Sequence, residues 1–195
     1  MQDLNGLLPQ IFPTHFLWSE LLSRRSLSNT DIAAYLGVWQ DLQDVDRKAW
    51  SAGDAEPNVM PGGGTYPNGY AQSSKILEWV FSDRPALLAN LLQFSDINAV
   101  FDTNLLNSPK VLLESLFAPH VAAAIGDLRQ QPQVILRNVL ELLPHPLRRE
   151  NLTVAGSGRL KIEVLVDIDG AHWREQRTVM LSASSKPPFN VILNN

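Results

Sequence analysis

The residues best suited to chemistry in this chain are carboxylates that crowd one Gly-, Pro- and Asn-rich segment. Between residues 39 and 70 the chain reads WQDLQDVDRKAWSAGDAEPNVMPGGGTYPNGY, and its acidic residues are Asp41, Asp44, Asp46, Asp54 and Glu56. Close carboxylates repel one another unless water, a basic side chain or a cation lies between them. Calcium would suit such a loop, because it takes several oxygen ligands in flexible geometry. The spacing matches no EF-hand, and a solvated acidic surface with Arg47 and Lys48 as counter-charges explains the same residues.

Patterns that support catalysis are scarce elsewhere in the sequence. Its histidines are scattered and belong to no motif: His15, His120, His145 and His172. There is no G-x-S-x-G, P-loop or H-E-x-x-H pattern, and Gly62-Gly63-Gly64 lacks the lysine and helix start of a phosphate-binding loop. Asp44 and Asp46 could act as an acid–base pair, but no other residues predict a substrate pocket. We therefore expect no enzymatic activity, with a metal-dependent hydrolase as an alternative.

Composition restricts the class of protein further. The 195 residues suffice for one large domain or two small ones, and 45% of them are hydrophobic, as in ordinary globular proteins. The net charge of −4 argues against nucleic-acid binding, which needs clustered Lys and Arg. Without cysteine the chain can form neither a disulfide nor a thiolate zinc site. No apolar run approaches the roughly 18 residues that cross a membrane, and MQDLNG does not resemble a signal peptide.

Apolar residues recur with helical spacing between residues 15 and 143. Ser28, Asn29 or Thr30 can cap a helix whose core face is Ile32, Leu36 and Trp39, and Asp83 can cap a later one. The later helix is expected to bury Leu87, Leu88, Leu91 and Leu92. The helices are predicted at about His15 to Arg24, after Ser28, from Ser73 or Ser74, from Pro85, from Ser108-Pro109, at Pro119 to Arg129 and at about Pro132 to Leu143.

The pattern changes after residue 150 from helical spacing to alternation. Leu160, Ile162, Val164, Val166 and Ile168 alternate with polar residues, which predicts a half-buried strand. Asp169-Gly170 is a tight-turn signal, and Trp173 to Leu181 can return antiparallel. Shorter extended segments are predicted at residues 3–12, with a turn at Asp3-Leu4-Asn5-Gly6, at Asn151 to Ala155 and at Phe189 to Leu193. Helices followed by an antiparallel sheet indicate an α+β fold.

Residues Val111 to Arg129 have the outline of a helix-hairpin-helix, which offers a different class of function. The DNA-binding form uses a glycine-flanked hairpin whose backbone N–H groups contact phosphate. Here Phe117-Ala118-Pro119 occupies the turn, and proline removes a donor. Two packed helices are therefore the favoured interpretation, and a nucleic-acid-associated module is the alternative.

Several short motifs, taken in order, resemble those of one family. The chain is similar to the periplasmic region of K-type minor pseudopilins of the bacterial type II secretion system (general secretion pathway protein K). An Ala-rich helix ending at Arg129 and closing antiparallel strands also fit this family. The motifs are Asp3-Leu4-Asn5-Gly6, Trp39-Gln40-Asp41, Gly53-Asp54-Ala55-Glu56, Tyr66-Pro67-Asn68-Gly69 with Ser73-Ser74, and Asn104 to Leu112.

The resemblance implies a pilin-like antiparallel sheet domain, residues 1–72 and 144–195, with an inserted helical, sterile-alpha-motif-like domain at residues 73–143. It implies a structural role at the tip of the secretion pseudopilus, in complex with the I-type and J-type minor pseudopilins and other secretion-system components. It further implies a periplasmic domain of an inner-membrane protein, anchored by a helix outside this sequence. For such an assembly we expect at least one uncovered apolar patch.

The resemblance also implies calcium in the acidic loop, where the ion would hold a long segment in one shape. The predicted ligands are Asp44, Asp46, Asp54 and Glu56, with backbone carbonyls or water completing six to eight oxygens, the usual number for this ion. The role would be structural, because calcium offsets the repulsion between the carboxylates.

Overall fold

Seven α-helices lie in the part of the chain that the computed structural model describes, which is residues 1–11, 15–43, 73–149, 151–182 and 187–192. They are α1 (His15–Arg24), α2 (Asn29–Asp41), α3 (Lys75–Val80), α4 (Pro85–Phe94), α5 (Lys110–Leu116), α6 (Pro119–Leu128) and α7 (Leu136–Leu142). Short 3-10 turns cover Leu4–Gly6 and His145–Arg149. None of the helices in these ranges is long and apolar enough to span a bilayer.

Side-chain caps explain where some of these helices begin. The Ser28 hydroxyl accepts a hydrogen bond from the Asp31 N–H at 3.1 Å, as predicted for this position. The predicted cap at Asp83 is wrong. Arg84 precedes the first residue of α4, and the Asp83 carboxylate instead accepts a hydrogen bond from the Tyr35 hydroxyl at 2.6 Å.

Two other predicted helix starts differ from the structure. Helix α5 begins at Lys110, and the Ser108 hydroxyl does not cap it but donates to the carbonyl of Asn104 at 3.4 Å. Helix α7 begins at Leu136 instead of Pro132. The Asn138 side chain accepts a hydrogen bond from the Ile135 N–H at 3.1 Å, and this local bond fixes the start of the helix.

Buried aromatic rings connect the helices in one core. The rings of Trp18 in α1 and Trp39 in α2 meet edge-to-face at 4.7 Å, and Phe81 contacts Trp39 at 6.2 Å. All three side chains are fully buried, and burying a side chain of this size stabilises the fold by roughly 1.5–3 kcal/mol. The predicted core faces of α2 and α3 are confirmed as buried: Ile32, Leu36, Trp39, Ile76, Leu77, Val80 and Phe81.

Helix α4 is less buried than its leucines predict. Leu91 is fully buried, but Leu87, Leu88 and Leu92 are only half-buried and pack at the margin of the core. The same apolar cluster contains residues of α1, α2 and of helices α3 to α7, so it joins residues on both sides of position 73. The division of the chain into domains at residues 73 and 143 stays a prediction.

The sheet has four antiparallel strands in the order β1-β4-β5-β6. These strands are β1 (Gln2–Asp3), β4 (Arg159–Ile168), β5 (Ala171–Leu181) and β6 (Phe189–Ile192), and a separate parallel pair joins β2 (Leu8–Pro9) to β3 (Ser95–Asp96). Asp169 and Gly170 have φ angles of 50° and 83°, which makes the predicted tight turn a type I′ hairpin. The mixture of helices and antiparallel strands is compatible with the α+β class.

The two ends of the described chain meet at this sheet. Gln2 pairs with Lys161, and the Asn5 side chain donates to the carbonyl of Ala155 at 2.7 Å. Residues at the start of the chain therefore pair with the C-terminal strand β4. The strand predicted at Asn151 to Ala155 is reduced to one bridge between Leu152 and Thr103.

Candidate interaction surface

The four predicted calcium ligands lie outside the described residues. Asp44, Asp46, Asp54 and Glu56 all belong to residues 44–72, as does the glycine run at 62–64. Asp41, their nearest described acidic neighbour, is 5% exposed at the end of α2. Within the described ranges, no three His, Asp or Glu side chains come together as a metal site would require. The calcium site stays a prediction from the sequence.

Two of the motifs that carry the family resemblance contact each other in the fold, although about a hundred residues separate them. The Asp3 carboxylate accepts hydrogen bonds from the Asn107 side chain at 3.2 Å and from the Asn5 N–H at 3.2 Å. It also accepts from the backbone N–H and the hydroxyl of Ser157. Asn5 and Asn104 are nearly fully buried, and both donate to the carbonyl of Ala155. This network ties the first turn to residues 104–108 and 155–157.

Arg129, which follows α6, also binds residues 104–108 of this network. Its guanidinium donates to the carbonyls of Leu105 and Ser108. Burial lowers the pKa of Arg129 below its usual value, since the charged form loses contact with water. The carbonyl oxygens offset part of that cost, so Arg129 holds residues 105–108 in place against the helix. This role is structural.

The histidines and the helical hairpin supply no catalytic grouping in the described residues. His120 and His145 are exposed on separate elements, and His172 contacts Asp167 at 3.3 Å on an exposed strand. In the hairpin between α5 and α6, Phe117 is 3% exposed. The turn therefore packs an aromatic ring into the protein core, whereas the turn of a DNA-binding hairpin would present backbone N–H donors to phosphate.

The sheet presents an apolar surface, which the strand register defines. Antiparallel partners point to the same face, and alternate residues along a strand point to opposite faces. Leu160 pairs with Val179 and Val166 with Trp173, while β6 places Val191 beside Val179. We call this surface the open face. Its apolar side chains are Leu160, Ile162, Val164, Val166, Ile168, Trp173, Val179, Leu181, Phe189 and Val191.

Much of the open face is accessible to solvent. Val164, Ile168, Trp173, Leu181, Phe189 and Val191 are between 44% and 64% exposed. At the base of the sheet, the opposite face contacts the rest of the protein through an ion pair between Lys161 and Asp96 at 3.0 Å and through the buried Thr178. A contiguous apolar surface of this kind marks an interaction site, because its exposure to water is unfavourable. The expected uncovered apolar patch is therefore found, and it lies on the sheet.

Sequence alternation predicted the strands but missed how exposed they are. The prediction of a half-buried β4 holds for Leu160 and Ile162, whereas Val164 is 45% and Ile168 64% exposed. Two signals could have indicated this. Leu165 interrupts the alternation with an apolar residue on the second face, and β5 carries an adjacent Glu175 and Arg177 pair on the open face. Both features are typical of a hairpin that extends beyond the core.

No protein-family model matches the chain, and no curated protein is significantly similar to it. The case for a function therefore depends on the described geometry and on the motifs in the sequence.

Proposed function

We propose that this chain is the periplasmic region of a K-type minor pseudopilin, a structural protein at the tip of the type II secretion pseudopilus. In this role it assists the export of folded proteins across the outer membrane and binds the I-type and J-type minor pseudopilins. In this role the chain is the periplasmic domain of an inner-membrane protein. The sheet belongs to a pilin-like domain of residues 1–72 and 144–195. Helices α3 to α7 belong to an inserted sterile-alpha-motif-like domain of residues 73–143, and the protein has no enzymatic activity.

The observation that carries this proposal is the open face. A protein that assembles with partners needs a surface that tolerates exposure to water in the free protein and becomes more favourable when a partner covers it. The open face meets this need, because apolar residues of three strands lie on it together with the ion pair of Glu175 and Arg177. Burial of an apolar side chain such as Trp173 contributes about 25 cal/mol for each Å² removed from water.

The network around Asp3 also supports the proposal. Two of the motifs that resemble the family, Asp3-Leu4-Asn5-Gly6 and Asn104 to Leu112, contact each other through the side-chain amide of the half-buried Asn107, which donates to Asp3 and to the buried Asn5. Their pairing gives both motifs one physical role, which is to fix the first strand against the sheet. A shared role explains why both would occur in one chain.

The proposal can be tested by mixing the soluble chain with soluble I-type and J-type pseudopilin domains and measuring mass by light scattering. We expect a heteromeric complex that the substitution Trp173→Ser weakens by about tenfold or more, the loss expected for an interface aromatic. Ile135→Ser is the matched control, because Ile135 is a 62%-exposed apolar residue that precedes α7 and belongs to no strand of the sheet.

Two results would contradict the proposal. One is that the three domains remain monomeric when mixed at high concentration. The other is that Ile135→Ser weakens the complex as much as Trp173→Ser, since the open face would then have no special role. Salt-sensitive DNA binding by the chain would instead support the helix-hairpin-helix alternative.

A further inference from the structure

Among the described residues, the outer edge of β4 has a neighbouring strand over only a short part of its length. Strand β1 pairs only with Leu160 and Lys161. From Ile162 to Ile168, β4 pairs with β5 on one side, and no strand in the described ranges lies on the other. An unpaired strand edge presents a row of hydrogen-bonding groups that can bind another extended chain.

The register shows which backbone groups this edge presents. The Leu181 N–H donates to the carbonyl of Gly158 at 2.7 Å, and hydrogen-bonded pairs recur at every second residue in an antiparallel ladder. The N–H and C=O groups of even-numbered β4 residues therefore point to β5. Those of Glu163, Leu165 and Asp167 point outward, and we call these groups the open edge.

The two exposed edges of the hairpin differ in how well they are protected. Strand β5 also extends beyond β6, and its residues 172–177 read HWREQR. Charged side chains at a strand edge disfavour pairing with another strand. The β4 edge is apolar on the open face and carries the 70%-exposed Leu165 on the other face. Only Glu163 and Asp167 are charged there. The β4 edge is therefore the better template for another strand.

We propose that the open edge binds an extended strand of a partner protein whose side chains alternate between apolar and basic. The apolar side chains of that strand would continue the open face beyond Ile162, Val164 and Val166. Its basic side chains would lie beside Glu163 and Asp167, which already contact Arg174 and His172 but remain 38% and 67% exposed. Opposite charges across neighbouring strands are favourable. This inference does not depend on the proposed function.

A second copy of this chain is a poorer occupant than a strand with basic residues. If two β4 edges paired about a two-fold axis at Leu165, Glu163 of each copy would lie opposite Asp167 of the other. Like charges directly opposite destabilise a strand pair. Centring the pair at Val166 would put Glu163 opposite Asp169, with the same effect. At these two registers, which pair the longest part of the open edge, the charges on β4 disfavour self-pairing, whereas they favour a basic partner.

The whole chain can be tested with a fluorescent, end-capped peptide of alternating Val and Lys, followed by anisotropy. Leu165→Pro removes one outward N–H while leaving the even-numbered groups that bind β5, and proline is tolerated at such edge positions. Leu165→Thr removes the same side chain but keeps the N–H. We expect Leu165→Pro to bind the peptide about tenfold more weakly than Leu165→Thr, the effect of losing one backbone hydrogen bond and leaving its acceptor unpaired.

Amide exchange of the unaltered chain provides a second measurement that needs no variant. The N–H groups of Glu163, Leu165 and Asp167 should exchange quickly in the free chain and slowly with the peptide. Equal peptide affinities for the two Leu165 variants, no binding by the unaltered chain, or unchanged exchange at these three amides would each overturn the proposal. So would a concentration-dependent dimer that Leu165→Pro abolishes, because a second copy would then occupy the edge.

Discussion

Gly6 lies so close to Asn107 that a Cβ atom at position 6 would come within 2.2 Å of the Asn107 carbonyl oxygen. The same carbonyl accepts a hydrogen bond from the Gln2 side chain at 2.8 Å. The close approach lets the first turn of the chain pack against residues 104–108 and places β1 beside β4. Glycine is required here by space, because only a residue without a side chain fits against that backbone.

We therefore predict that Gly6→Ala lowers the free energy of unfolding by about 2 kcal/mol, since backbone must move to admit the methyl group. Gly126→Ala is the matched control. A Cβ at Gly126, near the end of α6, would meet no atom within 4 Å, and alanine favours a helix by about 0.8–1.0 kcal/mol over glycine. Urea unfolding should show opposite signs for the two variants. Equal effects would mean that the close contact with Asn107 does not matter.

The Asp3 network leads to a second prediction about stability. Asp3→Ala removes the acceptor of Ser157 and Asn107, and we expect a loss of about 1–3 kcal/mol from the donors left unpaired. Asp102→Ala, at an exposed aspartate, should change the free energy of unfolding by less than about 0.5 kcal/mol. In a double-mutant cycle, Asp3→Ala and Ser157→Ala should couple by about 1 kcal/mol. Strict additivity would show that the contact contributes nothing.

Local signals in the sequence located most helices and the hairpin of the sheet. Periodicity marked the buried stripe of α2, and Asp169-Gly170 marked the type I′ turn, because both depend on residues close in the chain. The cap of α4 was predicted wrongly for the opposite reason. In the fold, the Asp83 carboxylate accepts a hydrogen bond from the hydroxyl of Tyr35, which is distant in the sequence.

The interaction surface was harder to predict than the elements that form it. Alternation in β4 shows that one face is apolar but does not show whether anything covers it. Exposure of Val164 and Trp173 depends on where the helices end relative to the hairpin, which is a long-range property. The contact of Asp3 with Asn107 is also a long-range property, because no signal within either motif indicates that the two motifs pair.

The hydrogen bonds and the raised pKa of Tyr35 predict that the stability of the fold depends on pH in the alkaline range. Its hydroxyl donates to Asp83 and accepts from the Arg84 Nε at 2.8 Å. Burial first, and then the bond to Asp83, raise the pKa of Tyr35, while Arg84 acts in the opposite direction. Because the folded pKa exceeds the unfolded value of about 10, this contribution is complete below pH 10 and is lost as pH rises through the folded pKa.

The wild-type chain should therefore lose its advantage over Tyr35→Phe as pH rises. Urea unfolding near pH 8 should find Tyr35→Phe less stable by roughly 1 kcal/mol, the value of a surface hydrogen-bond pair. The difference should shrink at about pH 10.5 and above, where the unfolded tyrosine ionises first. Tyr66 and Tyr70 are common to both proteins and cancel. A difference that stays constant or grows would contradict the assigned direction of the pKa shift.

The predicted calcium site can be tested without knowing the shape of the loop that contains it. If Asp44, Asp46, Asp54 and Glu56 bind one calcium ion in the folded chain, millimolar calcium should raise the melting temperature and a chelator should lower it, by mass action. Magnesium should substitute poorly, because it demands near-ideal octahedral geometry and gives up its bound water reluctantly. Asp46→Ala combined with Glu56→Ala should abolish the calcium response and leave the circular dichroism nearly unchanged.

The matched control for this calcium prediction removes two carboxylates elsewhere. Asp102→Ala with Asp127→Ala changes the net charge equally at two exposed positions, so it should preserve the full calcium response. If the control loses the response as well, calcium acts through general charge screening, which depends on ionic strength and not on a bound ion. If the melting temperature of the thoroughly chelated wild-type chain is indifferent to calcium, residues 41–56 are a solvated acidic surface. The carboxylates then need only Arg47, Lys48 and water to offset their repulsion.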